Sequence, residues 1–494
     1  MFYLHPQTLL GLGPVSPVID PATLQTIGSR TDVTLEQAAQ ALQTLTLAQQ
    51  SWKRTDAKKR ADVLHRIADT IQNTDLSDIG EQLTREMGKP WPESMGEMAN
   101  CASAFRYFAE MARDEAGKVA GTTQTGSFQF ARYEALGVTV HIMPFNFPLL
   151  LMCWTVAASL AAGNACVIKP APVTTLSTLA FMRCFAALPP GLIACLPGGI
   201  DLATYLIESP LTHAVAFTGS AAAARQVGAL AGAHLKPAIL EGGGSDPFVV
   251  SAHAPIDVAA AGAVTAAFHL SGQVCTSAER FYVVDDVHDA FVDAMVRKTR
   301  QLRVGHGMGH HEIGPLVSEA ARNRVMALID DARQQGASVV CGGQIPPDAG
   351  PGWFLEPTIL TNVTASMKIV RDECFGPVAA ITRVPDFATA LRLANDTPFG
   401  LGASVFTTRL DEALDAAEVL EAGMVWVNNP LIDNDALPFG GWKASGMGRE
   451  LSRVGLDSFR RAKMVVIDHK PAIQDWWYPY PDSWFRDGSG RSAT

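Results

Sequence analysis

From Ile142 to Ile168 the chain carries no Asp, Glu, Lys or Arg, so this stretch belongs either in lipid or in the deep interior of a large protein. Pro144, Asn146, Pro148, Gly163 and Asn164 interrupt it, and its apolar part, 147–162, is bounded by polar turn residues rather than by lipid anchors. A buried helix is expected, and no membrane association. At 494 residues the chain exceeds what one hydrophobic core can serve, since single cores stop growing at roughly 250–300 residues, so two or more domains are expected. Apolar residues make up 48% and charged residues 18%, a balance that excludes a disordered chain. A net charge of −10, from 39 basic and 49 acidic side chains, offers no basic footprint, and nucleic acid is not expected as a partner.

The eight cysteines sit singly, mostly in apolar runs, without the paired spacings of a metal site or a disulfide framework. No secretory signal and a reducing, cytoplasmic setting are expected. His306, His310 and His311 crowd a glycine-rich loop but lack the helical spacing of a zinc site, so no metal is expected.

Helical apolar patterns alternate with short β-rich runs almost throughout, the arrangement that yields parallel sheets covered by helices; the class is α/β. Amphipathic helices are predicted over 35–52, 58–73, 76–87 and 97–114. The alternating Gly, Thr, Gln and aromatic residues of 118–136 predict a β-hairpin. Strand-like runs at 137–143, 165–168, 192–195, 214–217 and 238–240 read as a doubly wound sheet. After Glu241-Gly242-Gly243-Gly244 the pattern restarts with a strand at 247–250 and a helix over 257–270, which places a domain boundary at the glycine run. The tail, with Trp476, Trp477, Tyr478, Tyr480, Trp484 and Phe485, is too aromatic to leave in water and is expected to pack on its own chain or on a neighbouring subunit.

Ser271-Gly272-Gln273-Val274-Cys275-Thr276 puts a lone cysteine in a turn of small and polar residues directly after an apolar helix. Such a thiol is either a reactive nucleophile or an inert packing residue. Glu241, at a strand end followed by glycines that allow close approach, is a candidate base.

Over about residues 34–468 the chain resembles the aldehyde dehydrogenase superfamily. The resemblance rests on Pro144-Phe145-Asn146-Phe147-Pro148, Lys169-Pro170, Phe217-Thr218-Gly219-Ser220 and the Glu241 glycine run, which occur in the family's order. Gly272-Gln273-Val274-Cys275, Glu373-Cys374-Phe375-Gly376-Pro377 and Pro438-Phe439-Gly440-Gly441-Trp442-Lys443-Ala444-Ser445-Gly446 complete it. It implies an aldehyde dehydrogenase-like fold: a Rossmann-like cofactor domain (1–117 and 137–243), an α/β catalytic domain (244–445), and a β oligomerisation arm with the C-terminal tail (118–136 and 446–494). It further implies a homodimer or homotetramer.

The same resemblance assigns roles. Cys275 adds to the aldehyde as a held, charged and reachable sulfur, and Asn146 with the Cys275 N–H steadies the resulting alkoxide. Glu241 then activates water to hydrolyse the thioester, which disfavours transfer of the acyl group to coenzyme A. For the cofactor, Lys169 is implied at the adenosine ribose, Ser220 at the pyrophosphate, and Glu373 at the nicotinamide ribose with Phe375 beside the ring, and Phe145 and Gly219 are implied among the cofactor-binding residues. Taken singly, each of these is equally readable as an ion pair, a helix cap or a core aromatic.

Two departures stand out. Pro172 occupies the place where NAD-preferring members carry a glutamate that repels a 2′-phosphate, so NAD or NADP is expected; and Pro197-Gly198-Gly199-Ile200 is shorter than the usual glycine turn. The implied aldehyde pocket comprises Phe147, Leu150, Leu151, Trp154, His269 and Phe439, mostly apolar, and lacks the arginines that receive a carboxylate end. A medium-chain or aromatic small-molecule aldehyde is therefore expected. Residues 272–280, the length of the loop 429–437, and Asp433, Asn434 and Asp435 point instead to a semialdehyde or lactaldehyde substrate. A non-enzymatic scaffold of the same fold and a cofactor-free thiol hydrolase are the rival readings.

Overall fold

The computed structural model describes residues 1–114, 116–123 and 125–485. The chain divides into a large unit, Met1–Asp114 with Ala135–Arg461, and a small one, Glu115–Glu134 with Ala462–Thr494.

The large unit contains two sheets. The first has eight strands in the order Gly446–Met447, Ala238–Glu241, Ala214–Thr218, Val138–Ile142, Ala165–Lys169, Ile193–Cys195, Phe2–Leu4 and Gln7–Leu9. The five from Ala238–Glu241 to Ile193–Cys195 run parallel. Val138–Ile142, Ala165–Lys169 and Ala214–Thr218 are buried at every position, as strands covered on both faces must be. Register aligns Thr218 with Glu241, Phe217 with Ile142, and Ile142 with Lys169, so the chemically interesting side chains gather at one carboxyl edge.

The second sheet has seven strands in the order Ser338–Cys341, Thr358–Thr361, Val378–Val384, Ala278–Val284, Asp246–Val250, Gly402–Phe406 and Met424–Val427. Only the outermost pair, Ser338–Cys341 with Thr358–Thr361, is antiparallel. Gly242–Gly244 thus lies between the last parallel strand of one sheet and a central strand of the next.

The charge-free stretch becomes the helix Leu150–Ala162, stopped by Gly163 at φ 97° and buried from Leu150 to Ala161. Among the described residues no helix is long and apolar enough to cross a membrane. Leu35–Trp52 forms as predicted, opened by a capping box between Thr34 and Gln37. The helix predicted from 97 instead starts at Trp91, because Pro92 stands in its first turn, where a missing N–H costs nothing. The helix predicted to reach 270 ends at Phe268, since Leu270 and Ser271 take left-handed φ. Four short strands before residue 32 escaped the sequence reading.

The small unit is built on a three-stranded sheet, ordered Arg460–Asp468, Ser127–Ala135 and Gly117–Val119, which contains the expected hairpin. The arm was expected to resume at 446, but 446–461 belong to the large unit, because Gly446–Met447 pairs with Leu240–Glu241. Trp476, Trp477, Tyr478 and Trp484 are exposed and touch other rings of the tail.

Candidate active site

Cys275 sits on a turn whose geometry is forced. Leu270 (φ 54°), Ser271 (φ 57°) and Gly272 (φ 72°) are left-handed in succession, and a Cβ at 272 would lie 2.1 Å from the Gly376 carbonyl. Hydrogen bonds from Ser271 Oγ to Gly314 O (2.9 Å) and from Val317 N to Gln273 Oε1 (2.9 Å) pin the turn to its surroundings. Cys275 is the one residue between Leu270 and Arg280 that is not buried. Its thiol is pushed well above the usual range, first by desolvation and then by the charges of Glu241, Asp246, Asp433 and Glu373. These surroundings favour the protonated thiol over the charged sulfur expected from the sequence.

Asn146 is buried and its Nδ2 donates to Gln273 O at 3.0 Å, tying the amide to the cysteine turn. Beneath it lies an ion pair absent from the sequence reading. Lys89 and Glu97, both fully buried, are paired; Lys89 Nζ also donates to Asn146 O (2.8 Å), and Glu97 Oε1 accepts from Leu149 N (2.7 Å) and Leu150 N (3.0 Å). The pair thus fixes both ends of the Asn146 loop and satisfies donors at the start of the helix Leu150–Ala162.

Glu241 ends its strand opposite Gly446 and is 3% exposed, and a Cβ at Gly440 would lie 2.6 Å from its Oε1. Glu450, unforeseen in the sequence, is 2% exposed and bridged through its backbone to Phe439, the neighbour of Gly440. Glu241 is held well above the carboxylate range by burial and then by the Glu450 charge, and Glu450 is pushed up to about 8 by burial. The Gly441 N–H lies near enough to favour the Glu241 anion without making a hydrogen bond of normal geometry.

On one side of Cys275 a cavity of about 520 Å³ is lined by Phe145, Asn146, Thr218, Gly219, Ser220, Glu373 and Phe375, among others. Phe145 and Phe375 meet edge to face at 5.9 Å. Glu373 Oε1 accepts from Gly244 N (3.1 Å), and its carboxyl rises to about 8 through burial and then Glu279. Glu279 holds the segment that carries it, accepting from Cys374 N (2.9 Å) and Phe375 N (2.7 Å). Ser220 caps the helix Ala221–Ala233, its Oγ accepting from Ala223 N at 3.3 Å. Lys169 is buried and pushed down to about 8 by desolvation and then by Arg30. A buried Thr218 hydroxyl without a partner among the described residues, a buried amine whose hydrogen bond goes to Pro170 O, and a helix N-terminus suit a dinucleotide.

A second cavity, of about 470 Å³, is lined by Leu150, Trp154, Asn100, Ser103 and residues 431–435. Trp154 packs on Phe439 (4.9 Å) and Phe147 stacks on His269 (6.3 Å), whose Nδ1 lies 3.1 Å from Glu93 Oε1. Of the six residues placed at the aldehyde pocket by resemblance, Leu150 and Trp154 line this cavity, while Phe147, Leu151, His269 and Phe439 line neither of the two. Asp433 is pushed up to about 6 by desolvation and then by Asp435. His306 bonds to Asp20 (3.3 Å), and the described residues contain no group of three or more metal-binding side chains.

The aldehyde dehydrogenase family profile matches residues 13–465. A betaine aldehyde dehydrogenase of Mesorhizobium japonicum is 36% identical over 464 residues, covering 92% of this chain and 94% of that protein. A succinate-semialdehyde dehydrogenase (NADP+) of Mycobacterium ulcerans is also 36% identical, covering 91% and 98%. The solved structure of Staphylococcus aureus betaine aldehyde dehydrogenase with NAD+ superposes with a TM-score of 0.93 at 28% identity, covering 97% and 96%. The chain belongs to the aldehyde dehydrogenase family and is an oxidoreductase that oxidises an aldehyde with NAD or NADP.

Proposed function

We propose that Cys275 is the nucleophile, that the Asn146 amide and the Cys275 N–H stabilise the alkoxide formed on sulfur addition, and that Glu241 activates the water that hydrolyses the thioester. The observation that carries this reading is the Asn146–Gln273 bond of 3.0 Å, which holds a side-chain amide two residues from the sulfur on the turn. The other Nδ2 hydrogen is left to face an oxyanion. The sulfur must first lose its proton, a step that the surrounding carboxylates oppose and that the positive charge of bound NAD(P)+ would favour. Bound NAD(P)+ supplies the hydride acceptor. Lys169 holds the adenosine ribose, Gly219 and Ser220 hold the pyrophosphate at the helix N-terminus, Glu373 holds the second ribose, and Phe145 and Phe375 flank the ring. The first sheet is then the cofactor half and the second carries the nucleophile, while the three-stranded sheet pairs with another copy in a dimer or tetramer.

The expected medium-chain or aromatic substrate draws no support from the relatives, and we infer an aldehyde with a charged far end. Asp433 and Asp435 beside Trp154, in a cavity whose lining contains no Lys or Arg, favour a cationic end. The resemblance to a succinate-semialdehyde dehydrogenase supports a second reading, a carboxylate end. Specificity constants for betaine aldehyde, succinate semialdehyde and hexanal separate the two: a lead for hexanal would contradict both. The chemical step is tested by mass spectrometry of Glu241→Gln quenched during turnover. An acyl group on the Cys275 peptide is expected; an adduct elsewhere contradicts the assignment.

A further inference from the structure

The adenosine end of the proposed cofactor site carries charges that the family motifs do not include. Val33 N donates to Pro197 O (3.0 Å), and Leu196 N donates to Ile168 O (2.8 Å), so the chain from Arg30 to Val33 runs past the carboxyl ends of the strands that carry Lys169 and Cys195. Arg30 Nε donates to Asp32 Oδ1 (2.6 Å) and Nη2 to Oδ2 (3.3 Å), with the two side chains 16% and 13% exposed. The Arg30 Nη1 has no hydrogen bond among the described residues. Both charges are felt at the buried Lys169 amine. Pro172, exposed in the turn Pro172–Thr174, brings no carboxylate.

The arithmetic of charge decides what this corner accepts. Arg30 neutralises Asp32 through two parallel bonds, Lys169 makes no ion pair among the described residues and feels Asp32 only together with Arg30, and the corner is left with one net positive charge in a partly desolvated setting. Ribose hydroxyls alone do not satisfy that charge. A phosphate does, and a guanidinium with a free Nη1 is the donor geometry suited to it.

We propose that Arg30 and Lys169 form a receptor for the 2′-phosphate of NADP+ and give this chain a preference for NADP+ over NAD+. Arg30 is then a specificity-determining residue outside the resemblance motifs. The proposal rests on the cofactor placement argued above.

Calorimetric titration of the full-length protein with adenosine 2′,5′-bisphosphate and with 5′-AMP tests it without turnover. The bisphosphate is expected to bind at least about tenfold more tightly, with the gap shrinking as salt is added. Arg30→Gln removes most of that gap and Arg30→Lys restores part of it. Equal binding of the two ligands in the wild type overturns the proposal, as does an Arg30→Gln loss shared equally by both. Should Arg30→Gln fail to fold, Pro172→Glu on the exposed turn must also shrink the gap, and an unchanged gap overturns the proposal. Binding of neither ligand in competition with NAD(P)+ overturns the cofactor placement itself, whereas competitive 5′-AMP binding without 2′-phosphate selectivity overturns this inference alone.

Discussion

Glu241 and Glu450 are buried beside each other at the edge of the first sheet, and among the described residues no group hydrogen-bonds any of their four carboxylate oxygens. Two charges in that setting are strongly disfavoured, so the pair retains protons that free glutamates lose. Arg449 and the Cys275 thiol are the other titratable groups electrostatically linked to Glu241. A carboxyl raised on folding contributes stability below its unfolded value and loses it as pH rises through the folded one. Glu450 therefore lowers stability progressively between about pH 4.5 and 8, and Glu241, raised in the same direction, adds to the loss as pH rises. Glu450→Gln removes the like charge, so thioester hydrolysis should reach its plateau at lower pH. Single-turnover deacylation rates across pH check this; an unmoved midpoint contradicts it.

Lys89 and Glu97 make the second buried charge pair, and here the partners are opposite in sign. Lys89→Met leaves Glu97 charged in the interior without its cation, held by the Leu149 and Leu150 N–H groups, at a cost of about 3–5 kcal/mol, visible as a lower Tm. Because Lys89 also holds the Asn146 carbonyl, acylation should slow as well. The double variant Lys89→Met, Glu97→Gln should recover part of the stability but not the rate. A single variant as stable as the wild type would show that the pair is not needed.

Gly272→Ala is expected to damage the nucleophile rather than the cofactor site. A left-handed Ala costs about 1 kcal/mol or more, and its Cβ would meet the Gly376 carbonyl at 2.1 Å, so the turn must shift and carry Cys275 with it. Turnover should fall by at least about tenfold while NAD(P)+ affinity stays near that of the wild type. Equal losses in both would point to general unfolding.

The Cys275 thiol makes a prediction about reactivity. With its ionisation displaced upward, iodoacetamide labelling of the cofactor-free protein should be slow at neutral pH and rise about tenfold per pH unit into the alkaline range. A rate already level near neutrality would mean that the sulfur is a thiolate at rest.

The sequence carried much of this but not all. Leu35–Trp52 was legible because its apolar spacing and its Thr34–Gln37 cap agree locally. The Cys275 turn was legible because the small and polar run Ser271-Gly272-Gln273 breaks off an apolar helix, although the left-handed φ of Leu270, which no local pattern announces, ended that helix earlier than predicted. Lys89, Glu97 and Glu450 were not, since what makes them notable is burial, and a charged residue bound for the interior has the same letter as one bound for water. Lys89 meets the Asn146 carbonyl 57 residues away, a relation that no local pattern encodes. The strand Phe2–Leu4 was missed because three residues at a sheet edge carry no periodicity.

The most direct test of the account is rapid mixing of Glu241→Gln with aldehyde and NAD(P)+, followed through the absorbance of the reduced cofactor. One equivalent of reduced cofactor per active site should form quickly and turnover should then nearly stop, with no such burst in Cys275→Ser. Steady turnover of Glu241→Gln at the wild-type rate, or a full burst from Cys275→Ser, would contradict it.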